Sequence, residues 1–450
     1  MSCTVFKSTN TVDQSINVFP PKGYISNVRI IRNQDVENGD IFKFRIDSPK
    51  EFKVVGGTLT CASLGIIDPV TEGILNPARE VTLKLDVGRD YAYLSWKDKD
   101  RILGFQPPDG SSFFGAYPDY SLGIHTEGAT SINGICMSMG DFNQRINSWD
   151  MSQVIDAEYC FPGTPNFDRE INWDAPKLLQ MEYLLSGAAK FNKDITIRGA
   201  KPASMAFMLS GAASFNSKLN IDTSNCNNFA GMFLGASKFN QPLTNFDFSK
   251  AILISNMLNY ATSFNQPIDF GNMPLLQAAG YLFANSNFNS PIKFNAPILQ
   301  DAQGWFSDNS KFNNTIIGSF RSVVHMGYFF WNASSFNKPI NDWDIRNVLT
   351  FQGFLHGATS FNQDLSLWPE KFNVNSNMAD VSRAPNWSTE NYDKYLNAMW
   401  LDVGTTRQQA WANGTSPKVI KAIAKRSQAS AAAMAGLIGA GWTIIDGGLV

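Results

Sequence analysis

A phrase of 24 or 25 residues recurs ten times in the middle of this chain, and its landmark is a Phe followed by Asn or Asp. It reads SFNKPINDWDIRN from Ser335 and SFNQDLSLWPEKFN from Ser360. The landmark residues are Phe142, Phe167, Phe191, Phe215, Phe239, Phe264, Phe288, Phe312, Phe336 and Phe361. A fixed period of this length indicates stacked supersecondary units, each of which needs its neighbours to bury an apolar face. The sequence therefore predicts a repeat array in which the landmark Phe residues form a buried structural ladder.

The residue after the landmark Phe is Asn in nine copies and Asp168 in the remaining one. An amide both donates and accepts, so stacked Asn side chains can bridge the turn backbones of successive copies. The sequence predicts an asparagine ladder, and the alternative is a polar row that binds a ligand. Its members are Asn143, Asn192, Asn216, Asn240, Asn265, Asn289, Asn313, Asn337 and Asn362.

Two apolar patterns flank each landmark Phe. Ile or Leu always lies four residues later, usually followed by a second large apolar residue, which suits a strand with one face inward. Apolar or small residues recur ten, seven, six and three residues before the Phe, the spacing of one face of a helix. In one copy these are Phe229, Met232, Phe233 and Ala236. The patterns predict an α/β solenoid, a leucine-rich-repeat-like array of about ten strand–turn–helix coils.

The array is expected to span residues 128–375 between two regions of different texture. Residues 1–127 contain β-forming segments such as YISNVRII, DIFKFRI, EFKVVGG, VTLKLDV and YAYLSW, which predict a β-sandwich or barrel that docks or caps the array. Residues 376–450 are expected to form an α-rich carboxy-terminal cap. Its predicted elements are helices over Tyr392–Met399, from Ser416-Pro417 through Ile423, and over Gln428–Ile438, and a strand over Trp442–Ile445.

Composition narrows the classes of partner. A balance of 37 basic against 39 acidic residues gives no field that would direct the chain to nucleic acid or to an anionic membrane. Five cysteines without a CxxC spacing predict reduced thiols rather than a disulfide framework or a zinc ribbon. The start, MSCTVFKSTNTVDQSINVF, has no secretory pattern, and no stretch approaches 18 apolar residues. We expect a protein without membrane insertion, folded in a reducing compartment.

The phrases GMFLGASKFNQPLTNFDFS, FLHGATSFNQDLSLW and FMLSGAASFNSKLNIDTS resemble the BspA-type, mycoplasma-lipoprotein-like surface repeats. The resemblance covers about residues 128–375, and the ending GAGWTIIDGG is similar to the segment that closes such arrays. It implies a parallel-sheet solenoid, found on bacterial surfaces and in bacteriophage proteins, that acts in adhesion or recognition. It implies no catalytic residues.

Candidates for chemistry are few. The three histidines, His125, His325 and His356, share no position that would make a metal site, and no phosphate-loop, HExxH, GxSxG or zinc motif occurs. We expect no cofactor, no metal and no catalysis. The recurring aspartates could pair as glycosidase carboxylates, but helix caps or turns also explain them. They are Asp150, Asp222, Asp247 and Asp344.

Tryptophans offer the candidate binding residues, because an aromatic face can stack on a sugar ring. Trp149 and Trp343 lie in columns that are apolar in other repeats, which favours core packing. Trp331 and Trp368 stand slightly off those columns and are the better candidates for an exposed platform.

The repeats resemble those of surface recognition proteins, yet the sequence has no secretory pattern. A bacteriophage structural protein would explain both, because it assembles in the host cytoplasm and is exposed on the finished particle. We therefore expect a non-enzymatic virion component: a fibre, decoration or receptor-binding protein. Its amino-terminal region would bind other virion proteins, and its repeats a host surface glycan or protein; a homo-oligomer is allowed. The alternative is an adhesin on a bacterial or protist surface, and the third hypothesis is a polysaccharide-cleaving enzyme.

Overall fold

The structure is a computed structural model that describes residues 4–7, 26–32, 41–46, 51–55, 57–61, 79–85, 91–96, 120–126, 129–136, 140 and 142–450. The chain divides into two compact units, Met1–Asp222 and Thr223–Val450. The domain boundaries at residues 127/128 and 375/376 stay predictions of the sequence.

The described residues before 126 include eight strands in two sheets. One sheet has the order β1-β4-β7-β2-β8, with only the β1–β4 pair parallel, and the other is the antiparallel sheet β3-β6-β5. The β-forming segments noted in the sequence coincide with β2, β3, β4, β6 and β7. The bounds are β1 Thr4–Lys7, β2 Ser26–Arg32, β3 Ile41–Ile46, β4 Glu51–Val55, β5 Gly57–Cys61, β6 Arg79–Leu85, β7 Tyr91–Trp96 and β8 Tyr120–His125.

Short parallel strands form at the Ile or Leu that follows the landmark Phe in six of the repeats. In the first unit they are β9 (Ile171–Asp174), β10 (Ile195–Arg198) and β11 (Leu219–Ile221), in the order β11-β10-β9. In the second unit they are β12 (Ile268–Asn272), β13 (Ile292–Asn295) and β14 (Ile316–Ile317), in the order β12-β13-β14. The Ile and Leu residues are in register across each sheet.

The predicted α/β solenoid of strand–turn–helix coils is wrong. The strands lie in small open sheets of three, and residues 142–388 contain no α-helix. Where a helix was expected, each of the nine repeats from the one at Phe167 onward forms consecutive turns that contain two residues with positive φ, four apart, such as Gly231 (φ 59°) and Gly235 (φ 71°). An α-helix needs successive residues in the right-handed region, so a left-handed residue every fourth position prevents one.

The hydrogen bonds of these turns explain why the sequence pattern looked helical. The N–H of Phe229 donates to the C=O of Leu253 in the next repeat (2.9 Å), and that of Gly231 to the C=O of Ser255 (2.9 Å). Between them, the N–H of Met232 donates back to the C=O of Phe229 (3.1 Å). In consecutive three-residue turns, the residues that point into the core have nearly the same spacing as those on one face of a helix. About half of the backbone N–H groups in these turns, however, bond to the neighbouring repeat. Periodicity alone does not distinguish the two.

The three longer repeats that contain an aromatic residue three places after the Ile or Leu lack the strand. There the N–H of Trp149 donates to the C=O of Ile146 (3.1 Å), and that of Trp343 to the C=O of Ile340 (3.2 Å). The same bond joins Phe246 to Leu243 (3.0 Å). The extra residue of the 25-residue copies therefore closes a turn in place of a strand.

The landmark Phe residues are buried and stack on one another within each unit. Ring centroids are 5.8 Å apart from Phe142 through Phe167 and Phe191 to Phe215. From Phe239 to Phe361 the separations run from 5.7 to 6.1 Å. These parallel rings fill the interior of the repeats, where large aromatic side chains contribute most to burial.

The Asn that follows each Phe bonds to the equivalent residue of the next repeat. The side-chain oxygen of Asn265 accepts from the N–H of Asn289 (2.7 Å), whose own oxygen accepts from the N–H of Asn313 (2.7 Å). The same bond recurs at every described step within each unit and ends at Ser388, whose N–H donates to Asn362 (2.9 Å). The ladder satisfies backbone donors that have no partner within their own turn.

The described carboxy-terminal elements are α1 (Thr389–Leu401), α2 (Gln408–Asn413), β15 (Val419–Lys421), α3 (Ala431–Gly439) and β16 (Thr443–Ile445). The helix predicted from Ser416-Pro417 is wrong, because this segment becomes β15, which pairs in parallel with β16. Lys418 has φ 52°, a left-handed conformation that no helix start can contain, and the β-branched Val419 and Ile420 suit a strand.

Candidate functional site

The structure places the four candidate tryptophans in different environments. Trp368 is fully buried, Trp149 is 6% exposed and Trp343 is 8% exposed, whereas Trp331 is half-buried. Trp149 stacks on Trp173 in the first unit at 6.0 Å. An exposed platform needs an accessible ring face, and among these four Trp331 has the most accessible ring.

Trp368 has a structural role that the sequence did not indicate. Its indole N–H donates to the C=O of Ile340 (2.9 Å) in the preceding repeat, a carbonyl that also accepts from the N–H of Trp343 (3.2 Å). Trp173 makes the same bond to Ile146 (3.2 Å), again in a repeat that lacks the strand. A buried indole N–H needs an acceptor, and in both places the turn that replaces the strand supplies it. Trp368 is thereby corrected from a platform candidate to a core residue.

Trp331 belongs to a cluster with Tyr328 and His356, which we call the aromatic platform. The Trp331 ring stacks on the His356 imidazole (4.1 Å, 22°), and the Tyr328 ring meets it edge-on (5.4 Å, 65°). All three side chains are half-buried. Gly353 makes the arrangement possible, because a Cβ there would lie 2.6 Å from Cε3 of Trp331 and 3.0 Å from Cδ1 of Tyr328. The rings therefore lie against bare backbone.

Polar groups border the aromatic platform. The exposed Asp308 precedes Trp331 by one repeat, and its N–H donates to the Trp331 C=O (2.7 Å). The Asn332 amide donates to a carboxylate oxygen of Asp308 (2.8 Å). The Nδ1 atom of His356 is buried and has no hydrogen-bond partner in the described part of the chain. A hydrogen-bonded carboxylate and amide thus adjoin the half-buried Trp331, and His356 adds a buried nitrogen.

The position that Tyr328 and Gly353 occupy in successive repeats is filled differently in the first unit. Tyr159, Tyr183 and Phe207 share a positive φ of 51° to 54°, and their rings stack face to face at 4.7 and 4.9 Å. Because the middle ring has a neighbour on both faces, the stack offers mainly ring edges. This column was not predicted, although an aromatic residue lies eight places before the landmark Phe in three successive repeats.

Carboxylates lie close to the stacked rings of the first unit. Burial, with the nearby charges of Asp156 and Glu182, raises the pKa of Glu158. Burial also raises the pKa of Tyr159, as do the neighbouring Tyr183 and the two glutamates. Burial and the like charges nearby therefore disfavour ionisation of Glu158.

A cleft of about 680 Å³ lies beside β14, and we call it the edge cleft. Its lining includes Ile317 and Leu367, which are 58% and 49% exposed, together with Trp343. Lys338 and Asp342 also line it. Its volume falls within the usual range for ligand pockets, which is about 300 to 1,000 Å³.

The recurring aspartates form turns rather than a carboxylate pair. Oδ1 of Asp150 accepts from the N–H of Ser152 (2.9 Å), and Oδ1 of Asp247 from the N–H of Ser249 (2.8 Å). Oδ1 of Asp344 accepts from the N–H of Arg346 (3.4 Å), and the carboxylate also pairs with the Arg346 side chain (3.1 Å). Each is an Asx-type turn, in which a carboxylate bonds to the backbone two residues later. The turn explanation from the sequence holds for these aspartates.

Other chemistry is sparse in the described residues. Cys136, Cys160 and Cys226 are buried and lie outside any disulfide, and burial raises the pKa of the Cys136 and Cys160 thiols. Within the described ranges, no group of three or more His, Cys, Asp or Glu side chains could hold a metal ion. Nor does any helix found there have the length and apolar character needed to cross a bilayer.

The stacked repeats define the class of protein, a repeat protein whose side chains at fixed positions build its surfaces. Residues 130–220, 199–295 and 277–395 each match the profile of the family described as "Mycoplasma protein of unknown function, DUF285". Together these matches cover more than half of the chain, and the chain belongs to this family. The family comprises BspA-like repeat proteins, which agrees with a surface repeat protein. No curated protein and no solved structure shows significant similarity to the chain.

Proposed function

We propose that this chain is a non-enzymatic surface recognition protein that binds carbohydrate on the aromatic platform. The observation that carries the proposal is the half-buried Trp331 ring, held against Gly353 and bordered by polar groups. A pyranose presents an apolar C–H face and a rim of hydroxyls, so it can stack on an aromatic ring while its hydroxyls bond to neighbouring polar groups. Asp308 and Asn332 supply an acceptor and a donor next to the ring.

Family membership supports display on a surface, and the virion setting stays a prediction of the sequence. The two settings can be separated by immunogold electron microscopy on phage particles and cells from the source culture. Gold on particles supports a virion component, and gold confined to cell surfaces supports the adhesin.

The direct test is a glycan microarray probed with the full chain, followed by calorimetric titration of the best neutral oligosaccharide. The variant Trp331→Ala should weaken binding at least ten-fold, or about 1.4 kcal/mol, because the stacking face is lost. The matched control is Tyr260→Ala, which removes a 53% exposed ring outside the aromatic platform and should leave affinity unchanged. Equal affinity for wild type and Trp331→Ala would remove the platform from the proposal.

Catalysis is tested on the same oligosaccharides. A recognition protein returns them with their chain length unchanged after prolonged incubation, as measured by mass spectrometry. Shortened chains would favour the polysaccharide-cleaving enzyme instead.

A further inference from the structure

The free edge of β14 lies beside the edge cleft. β14 is the outermost strand of the sheet β12-β13-β14, and the N–H of Ile292 in β13 donates to the C=O of Thr315 (3.1 Å). Because the groups of a strand alternate between its two edges, the N–H and C=O of Ile316 point away from β13. No hydrogen bond within residues 142–450 joins Ile316 to the repeat that follows.

The repeat that follows β14 does not pair with this edge, because its backbone groups form hydrogen bonds within that repeat and with Trp368. Its N–H at Trp343 donates within the turn to Ile340 (3.2 Å), and the Ile340 C=O also accepts the Trp368 indole (2.9 Å). The inserted residue that closes this turn therefore removes the strand that would have paired with β14. A vacant strand position is a template for another chain.

The side chains beside the unpaired edge of β14 are apolar and exposed, as is typical where an extended peptide segment binds. Ile317 and Leu367 are 58% and 49% exposed on the cleft lining. Alternate side chains of an added strand would meet these apolar surfaces, while its backbone would pair with Ile316.

The charged residues that line the edge cleft indicate which kind of peptide segment would bind there. Asp342 and Asp344 line the cleft against a single cation, Lys338. Asp344 is already paired with Arg346 (3.1 Å), whereas the exposed Asp342 makes no ion pair within residues 142–450. A basic side chain on the incoming segment would therefore complement Asp342.

We infer that the edge cleft is a strand-addition site for an extended peptide of a partner protein, in which apolar and basic residues alternate. This activity is independent of carbohydrate binding on the aromatic platform. Recognition by β-strand addition takes affinity from the backbone and specificity from alternate side chains.

The test uses the full chain and a capped, fluorescein-labelled hexapeptide of alternating valine and lysine, followed by fluorescence anisotropy at low salt. Two matched peptides serve as comparators: one is N-methylated at alternate amides, and the other has glutamate in place of lysine. Each comparator should bind at least ten-fold more weakly. Equal binding of the N-methylated peptide would overturn strand pairing, and so would the absence of saturable binding of the parent peptide up to about 1 mM.

Variants locate the site. Ile316→Pro removes the cleft-facing N–H at a place where an edge strand tolerates proline, and it should weaken the peptide at least ten-fold. Asp342→Lys tests the charge without touching the strand and should also weaken binding at least ten-fold. The control Ile298→Ser changes an aliphatic residue that is 41% exposed and lies outside the cleft lining, and it should leave affinity unchanged.

Failure of this inference can be told apart from failure of the proposed function. Trp331→Ala should lose carbohydrate and keep the peptide, whereas Asp342→Lys should do the reverse. Peptide affinity unchanged in both Ile316→Pro and Asp342→Lys would overturn the assignment to the edge cleft. Displacement of the peptide by the oligosaccharide would likewise overturn it, because one site would then serve both.

Discussion

Both units contain a surface column of residues with positive φ, and they fill it in opposite ways. In Met1–Asp222, three consecutive aromatics stack on each other, with centroids 4.7 and 4.9 Å apart. In Thr223–Val450, aromatics alternate with glycines: Tyr281 lies beside Gly304, and Tyr328 beside Gly353. The accessible ring face therefore depends on the residue at the same position one repeat later. In this column an aromatic followed by an aromatic forms a stack, whereas Tyr328, followed by Gly353, leaves room for the Trp331 ring.

The largest effect should come from the core, where the two units do not differ. Phe191→Ala and Phe312→Ala each remove a fully buried ring that stacks on the landmark Phe of both adjacent repeats. Each should lower the free energy of unfolding by about 3 to 5 kcal/mol, measured by chemical denaturation. A difference of more than about 2 kcal/mol between the two variants would show that the two units differ in their cores as well as at their surfaces.

Gly353→Ala tests the glycine that supports the platform. A Cβ at this position would meet both Trp331 and Tyr328, and φ is 64°. We expect about 2 to 3 kcal/mol of destabilisation and loss of carbohydrate binding. Gly211→Ala is the matched control in the first unit, with φ 71° but with its nearest neighbour atoms 3.5 Å away. It should cost about 1 to 2 kcal/mol from backbone strain alone and leave binding intact.

The asparagine ladder should respond equally in both units. Asn192→Ala and Asn289→Ala each remove a side-chain oxygen that accepts from the next repeat, at 2.8 and 2.7 Å. Each loss should cost about 1 kcal/mol in denaturant titrations. Loss of carbohydrate or peptide binding in Asn289→Ala, with stability unchanged, would instead favour the polar ligand-binding row.

Tyr183→Gly would give the first unit a tyrosine followed one repeat later by glycine, as Tyr328 is followed by Gly353. It breaks two ring contacts worth about 0.5 to 1.5 kcal/mol each, and it relieves a tyrosine held at φ 54°. Stability should therefore change by about 1 kcal/mol or less. Tyr159 would then precede a glycine, and the glycan microarray should show a new, weak signal that survives Trp331→Ala. No added signal would mean that glycine alone does not make a platform.

The smallest effect concerns pH at the acidic row of the first unit. The pKa of Glu158 is raised in the folded chain by burial, then by Asp156 and Glu182, so the folded state holds this proton more tightly than the unfolded state does. Stability should therefore fall as pH rises through the raised pKa of Glu158. Glu158→Gln carries no charge and should lose part of this dependence, becoming more stable than wild type at pH 7 relative to pH 4. Denaturation midpoints at the two pH values measure the difference.

Much of the repeat organisation could be predicted from recurring letters. The period, the landmark Phe and the following Asn are all visible in the sequence, because each repeat makes the same contacts with its neighbours. The helices expected within the repeats were wrong, because consecutive three-residue turns place inward residues at nearly the same spacing as a helix. The positive φ of Tyr159, Tyr183 and Phe207 was also invisible, since bulky residues rarely adopt it.

The candidate sites were only partly predictable. Trp331 was marked by its departure from the apolar columns, and the structure places it in the aromatic platform. Trp368 departed in the same way, yet it is fully buried and its indole donates to the C=O of Ile340. The edge cleft had a faint signal in the 25-residue copy at Phe336, but an inserted residue does not reveal that a neighbouring strand is left unpaired.

The sequence by itself determined which residues recur, and hence which must be buried in stacked columns, because apolar area and amide pairing follow from residue type and period. Only the tertiary structure decided which hydrogen bonds lie within a repeat and which pass to the next. It also decided which ring faces remain open. Both outcomes depend on contacts between residues about 24 positions apart, whose geometry is set by the backbone conformation of both repeats.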